Sequence, residues 1–340
     1  MKKIIIVFFL FTNLLFAGAW DNNNNPANLG LKFKSYKITE LPMEGELLDK
    51  TKAWPESHWA SNVGSIAFRW SSMGPENFKY VSPDLAKVKQ LTVAEINELS
   101  PAEKFDLYLG HYDYPVTKTI LKSTSPTMNA WFGICHGVAP ASMYYTEPRR
   151  KTVTNKEGIT FDFYASDLKA LLSYYYSNVN YRSGRQVGRR CFANKDNSPC
   201  GDVNPAAFFL VLANRMGVDG KTLVVDVDRL NEVWNHVPVN YKANIYSELP
   251  PGPTSPRGTV KRLHMDILVN YAASIKPQLE AVIGTDKAEY LGQIYEFYLD
   301  IDAKDNIVGG EWLKDIRPDF LWIRDQEQLT GDWKVLESLI

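Results

Sequence analysis

Cys135 is the residue whose surroundings most suggest a nucleophile. It lies in the stretch Asn129-Ala130-Trp131-Phe132-Gly133-Ile134-Cys135-His136-Gly137-Val138-Ala139-Pro140-Ala141-Ser142-Met143-Tyr144-Tyr145. Trp131 and Gly133 precede the thiol, and the small residues after it predict a helix that begins at the cysteine. A thiol there sits at the positive end of the helix macrodipole, which lowers its pKa and favours the thiolate. The free N–H groups of the first turn can also hold an oxyanion. Pro140 is unusual for a helix interior, since it lacks the N–H that the preceding turn expects. The chain has three cysteines. Cys191 and Cys200 flank a short polar segment and are expected to pair as a disulfide that staples a loop, leaving Cys135 as the odd thiol.

A cysteine nucleophile needs a base beside it and a group that orients the base. The five histidines are His58, His111, His136, His236 and His264. His136 adjoins Cys135, but successive helical residues point about 100° apart, so it reads as structural. His58 and His111 lie among aromatic residues and read as packing or loop positions. His264 sits on a predicted strand after the helical half, sharing a face with Arg262 and Asp266. His236 follows Trp234 and comes shortly after Asp226 and Asp228, either of which could orient a ring. The residues leave His264 and His236 both open as the base, with Asp226 as a candidate orienting group. They also leave open a chain that has no base.

These side chains must be carried by a folded scaffold. Of 340 residues, 45% are hydrophobic and 23% charged, a globular composition that excludes a disordered, collagen-like or polytopic membrane chain. The formal net charge of -1 offers no field to hold a polyanion, so nucleic acid is not an expected partner. Lys2 and Lys3 precede an apolar run from Ile4 to Phe16, and Ala17-Gly18-Ala19 follows. This reads as a secretory signal peptide over 1–19, too short to span a bilayer, which takes about 18 or more apolar residues. The mature chain is expected to be secreted or periplasmic, with no membrane partner after cleavage. Residues 20–53 read as a polar arm. Thr92 and Ser100 read as helix starts, Ser100-Pro101-Ala102-Glu103 carrying the signals of an N-cap, a first-turn proline and a capping box. Residues 162–176 and 205–216 read as helices. From 223 the period changes to alternation, with strands over 223–228, 262–271 and 295–301, the last turning back into Ile307-Val308. Helices first and antiparallel strands second is an α+β pattern.

The Cys135 segment resembles the cysteine-bearing motif of the secreted elicitor-type transglutaminases known from oomycete plant pathogens and some bacteria. Glu232-Val233-Trp234-Asn235-His236-Val237-Pro238-Val239, followed by Tyr241 and Lys242, resembles that family's surface peptide, with His236 in place of a Gln and Val237 inserted before Pro238. Ile307-Val308-Gly309-Gly310-Glu311-Trp312 and Arg317-Pro318-Asp319-Phe320-Leu321-Trp322 form a third match, with Arg317 where the family has His. The Trp54 to Trp70 region and Ser100-Pro101-Ala102-Glu103-Lys104 fit as well, so the resemblance spans roughly residues 50–325.

The resemblance implies a papain-like α+β core over 54–325, with 326–340 as a C-terminal tail. It implies acyl transfer, in which Cys135 attacks the carboxamide of a protein Gln, ammonia leaves, and a Lys or other primary amine resolves the thioester. Trp131 and Trp234 are the expected substrate-binding side chains. The partners are then proteins bearing Gln and Lys. No cofactor is required by the sequence, although calcium stays open because family members are described as calcium-dependent. Asp300-Ile301-Asp302-Ala303-Lys304-Asp305-Asn306…Glu311 matches a calcium loop only in part, having Lys304 at a ligand position and Asp305 where Gly is needed, and reads as a hairpin. A Cys peptidase or amidase using the same centre, and a non-catalytic secreted binding protein, are the rival readings.

Overall fold

A computed structural model describes residues 21–72, 74–190 and 201–340. The leader-like segment and the expected Cys191–Cys200 pair lie outside the described residues. Among the described residues no helix is long and apolar enough to cross a membrane.

The architecture is α+β, a helical half followed by antiparallel sheet. Seven α-helices are described: α1 (Leu85–Val88), α2 (Val93–Asn97), α3 (Pro101–Leu109), α4 (Pro115–Lys122), α5 (Cys135–Tyr144), α6 (Ala165–Tyr174) and α7 (Pro205–Leu212). The strands are β1 (Glu44–Glu46), β2 (Lys151–Thr154), β3 (Thr160–Phe163), β4 (Arg185–Gly188), β5 (Val224–Asp226), β6 (Asn235–His236), β7 (Pro238–Leu249), β8 (Thr259–Ala272), β9 (Tyr290–Asp302), β10 (Ile307–Trp312) and β11 (Phe320–Ile323). They form a five-stranded sheet in the order β1-β7-β8-β9-β10, a four-stranded sheet in the order β4-β11-β5-β6, and the β2-β3 hairpin.

Local signals explain the helix starts. Thr92 and Ser100 each accept from the backbone N–H three residues on, and Glu95 and Glu103 return the bond, giving two capping boxes. The helix read over 162–176 is split by the pattern of its first residues: Thr160–Phe163 pairs as β3, and α6 starts at Ala165.

Two apolar cores lie side by side. In the first, every residue of α7 is buried, as expected of a helix apolar on all sides. Phe208 packs on Tyr295 and Trp312, with ring centroids 5.4 and 5.7 Å away. The inward residues of β8 and β9 join it there, as do Val224, Val225 and Leu321 of the smaller sheet. The second core gathers α2, α3 and α6 with Trp54, Trp59 and Phe68.

Both flanking segments are tied in. Leu29, Ile38, Leu41 and Leu47 enter the first core and β1 pairs with β7, so the segment read as a polar arm is a strap across the sheet. At the other end Trp333 stacks on Phe105 at 4.5 Å and Leu336 is fully buried, so residues after 325 complete the second core. Alternation of a few large apolar residues with charges hid both from the pattern.

Buried charge fixes the loop that approaches α5. Lys169 Nζ donates to Glu147 at 2.9 Å and to the Pro55 carbonyl at 3.1 Å, and it lies 3.2 Å from Glu56. Glu56 in turn accepts from Ser166 Oγ at 2.6 Å and from the Ser57 N–H at 2.8 Å. Removing one member of such a network leaves an unpaired buried charge, at a cost of about 3–5 kcal/mol.

Candidate active site

Cys135 is the first residue of α5, and the helix is seated by close backbone contacts. The Ile134 N–H donates to the His58 carbonyl at 2.7 Å. A Cβ on Gly133 would lie 2.2 Å from that same carbonyl, so only glycine lets the two segments approach this closely. On the far side of the helix, a Cβ on Gly137 would meet the Ser173 carbonyl at 2.1 Å, so α5 and α6 touch backbone to backbone. Pro140 is accommodated inside α5. The Gly137 and Val138 N–H groups donate to the Ile134 carbonyl at 2.8 and 3.0 Å, so the N–H groups at the thiol end that precede the helix's own bonds are those of Cys135 and His136.

The sulfur is half-buried between two spaces. On one side is an open cleft of about 670 Å³ whose walls include Trp131, Phe132, His136, Tyr181, Asn235 and Trp322. On the other is a cavity of about 20 Å³, near the size of a single water, bounded by Trp54, His58, Trp234, His236 and Ser274. Cys135 Sγ lies 3.6 Å from the Val233 carbonyl and 3.5 Å from Asn235 Nδ2.

Of the two candidate bases, the structure brings His236 to the thiol's surroundings and leaves His264 away. His264 is on the outer face of the larger sheet, where Nε2 meets Glu296 at 2.9 Å and the ring packs between Tyr246 and Tyr298. It lines neither space at Cys135. Strand alternation placed it with Arg262 and Asp266 correctly, but that face looks away from α5. His236 shares the small cavity with Cys135. Its Nδ1 donates to the Ala272 carbonyl at 2.8 Å, which fixes the tautomer and leaves Nε2 as an acceptor. Burial holds the ring's pKa below its ordinary value, so it is neutral near pH 7.

Asp226 is fully buried, and its Oδ1 accepts the Trp234 N–H at 2.8 Å. Its contact is thus to the backbone before Asn235 rather than to an imidazole, and its Oδ2 has no hydrogen-bond partner. Burial, opposed by the Trp234 bond, pushes its pKa up to about 8. A neutral carboxyl at pH 7 closes the β5–β6 connection; it is not a charged orienting group. Trp131 lies in the wall of the open cleft, edge-on to Phe132 at 4.2 Å. Trp234 lies across the small cavity, edge-on to His58 at 5.2 Å.

The expected fall in the thiol's pKa is reversed. Burial raises it above the ordinary value, and donation from Asn235 and from the His136 N–H offsets this only in part. Desolvation of a sulfur anion outweighs the end of a short helix. Thiol and imidazole therefore both rest neutral near pH 7.

Residue type alone did not reveal Asn235, His58 or Trp322. His58, expected as a packing or loop residue, donates from Nε2 to the Ala130 carbonyl at 2.9 Å, and its ring closes the small cavity. In the sequence Asn235 stands out only as the last residue of the Val233-Trp234-Asn235 run.

The calcium-like loop is a hairpin between β9 and β10. Asp300 and Glu311 are engaged by Arg262 at 2.8 and 2.9 Å, and Asp302 caps the Lys304 and Asn306 amides. These carboxylates do not fit a calcium ion. Among the described residues no group of three or more His, Cys, Asp or Glu side chains is placed to hold a metal.

The family described as "Transglutaminase elicitor" matches residues 29–255. The fold is similar to the crystal structure of the GP42 transglutaminase from Phytophthora sojae, with a TM-score of 0.71 and 21% identity over 95% of this chain and 97% of that one. No curated protein matches the sequence.

Proposed function

The chain belongs to the transglutaminase elicitor family, and from that premise we propose that it is a protein-glutamine γ-glutamyltransferase acting through Cys135. The observation that carries this reading is the position of the thiol: first residue of a helix, in the wall of an open cleft, with the neutral His236 ring across a water-sized cavity.

In this reading the Gln side chain enters the open cleft beside Trp131. His236 Nε2 takes the Cys135 proton, directly or across one water, as the sulfur attacks the carboxamide carbon. The Sγ–C bond forms and the carbonyl π pair moves onto oxygen. On collapse the C–N bond breaks, and ammonia leaves with the proton held by His236. A Lys or other primary amine then attacks the thioester, yielding an isopeptide bond, and water is the competing acceptor. Trp234 shields the cavity that holds the migrating proton. The leader-like start of the sequence supports action outside the membrane, in a secreted or periplasmic setting.

The test measures ammonia release and incorporation of a fluorescent primary amine into a Gln-bearing protein. Cys135→Ala is expected to abolish both while leaving the circular dichroism unchanged. Undiminished incorporation by that variant overturns the assignment. Ammonia release that yields only Glu, even with saturating amine, makes the protein an amidase instead.

A further inference from the structure

We propose that Asn235 is a catalytic residue: its side-chain amide, aimed by Trp322, holds the Cys135 sulfur as it becomes anionic and, with the Cys135 N–H, forms the oxyanion site. This extends the acyl-transfer reading above.

The argument starts from a donor that has only one role. An indole N–H can donate and cannot accept. Trp322 Nε1 lies 2.7 Å from Asn235 Oδ1, so that atom must be the amide oxygen. The NH₂ group is thereby turned the other way, toward Cys135 Sγ at 3.5 Å. Of an amide's two possible orientations, the indole selects the one that presents protons to the sulfur.

The backbone supports the same geometry. Asn235 pairs with Asp226 in the β5–β6 register, and Trp322 pairs with Val224 on the other side of β5. Donor and orienter therefore stand on one sheet, and Asp226 holds the residue before Asn235 through the Trp234 N–H. Both Asn235 and Trp322 face the open cleft, on the side where a carboxamide would arrive.

The oxyanion develops on an oxygen one carbon removed from the sulfur. A donor that already touches the sulfur from the cleft side reaches that oxygen with little movement. The Cys135 N–H, first of its helix, has no intrahelical acceptor and supplies a second donor. Asn235 exchanges no proton; it only donates hydrogen bonds to charge that appears during the reaction. Trp322 acts through Asn235 and is a positioning residue.

The experiment uses the full chain as wild type, Asn235→Ala, Asn235→Asp and Trp322→Phe. Three quantities are read: the pH midpoint of Cys135 alkylation by iodoacetamide, and kcat and KM for ammonia release from a Gln peptide. Asn235→Ala should raise the alkylation midpoint and lower kcat about 10²–10³-fold, the range seen for loss of one oxyanion donor, with KM within about threefold. Trp322→Phe should shift the midpoint and kcat in the same directions by less. Asn235→Asp, nearly isosteric, guards against a fold defect and should raise the midpoint further. An unchanged midpoint and kcat in Asn235→Ala or Asn235→Asp, with Cys135→Ala inactive, overturns the role of Asn235 and leaves acyl transfer standing. If the wild type releases no ammonia, the acyl-transfer reading falls with the oxyanion role, while the alkylation series still decides whether Asn235 holds the sulfur.

Discussion

His236 donates its Nδ1 proton to the carbonyl of Ala272 at 2.8 Å, so the ring is locked with its other nitrogen bare. His236→Asn keeps a donor near the position of Nδ1 and removes the acceptor at Nε2. Amine incorporation should fall by about 10²–10⁴ in kcat, the usual worth of a general base. The fold should survive, because the bond to Ala272 is preserved. Activity near wild type in this variant would remove His236 from the mechanism.

The second candidate offers the complementary measurement. His264→Ala breaks a half-exposed contact with Glu296 on the outer face of the sheet. Its kcat and KM should stay within about twofold of wild type, the pair being of a kind worth about 1 kcal/mol or less to stability. A large loss of kcat would show that the sheet face communicates with Cys135 by a route other than contact.

Cys135 is expected to behave as a thiol at neutral pH. Its pKa is raised by burial, so the rate of alkylation should keep climbing as pH passes the ordinary thiol range. Rapid labelling at pH 6 that is already at its plateau would contradict the raised pKa and favour a preformed ion pair.

Asp226 makes stability depend on pH with a definite sign. Its folded pKa is about 8, above the ordinary 3.8. As pH rises through that interval the unfolded chain sheds a proton that the folded form keeps, so this group's contribution falls steadily across the window. Asp226→Asn retains an acceptor for the Trp234 N–H and removes the ionisation. The thermal midpoint of the variant should match wild type near pH 4 and exceed it increasingly toward pH 8. A gap that does not vary with pH would refute the assignment.

Gly137→Ala tests the contact between α5 and α6. A methyl group 2.1 Å from the Ser173 carbonyl forces the helices apart. A loss of about 1–3 kcal/mol is expected, read as a lowered urea midpoint. The same variant should lose activity before it loses its fold, because Cys135 moves with the helix.

How far the sequence carries this picture depends on the kind of interaction. The caps at Thr92 and Ser100 are local, each decided within four residues, and they read directly. The change of period after Leu223 announced the sheet for the same reason. Cys135 was legible because its neighbours are unusual and its family motif is long. His236 was legible only as one of two candidates, and Asn235 and Trp322 were not legible at all, because each lies far away in sequence. Asn235 meets Cys135 across 100 positions and Trp322 across 87. Strand alternation placed His264 on a polar face but could not say which way that face looks. The sign of the thiol's pKa failed for a related reason: the helix end is local and visible, whereas desolvation is the sum of everything packed around the sulfur.

Helix α5 belongs to both cores, with Ala139 and Met143 in the sheet-side core and Ala141, together with Ile134 just before the helix, in the helical one. The thiol rides on this shared element, while Asn235 and His236 ride on the smaller sheet alone. The proposed chemistry therefore hinges on the seam between the halves staying shut, a stricter demand than either half keeping its shape. Under the proposed acyl transfer, mild denaturant or a bulky graft at that seam is expected to abolish turnover while most of the secondary structure is still intact, making turnover a more sensitive gauge of assembly than any spectroscopic average.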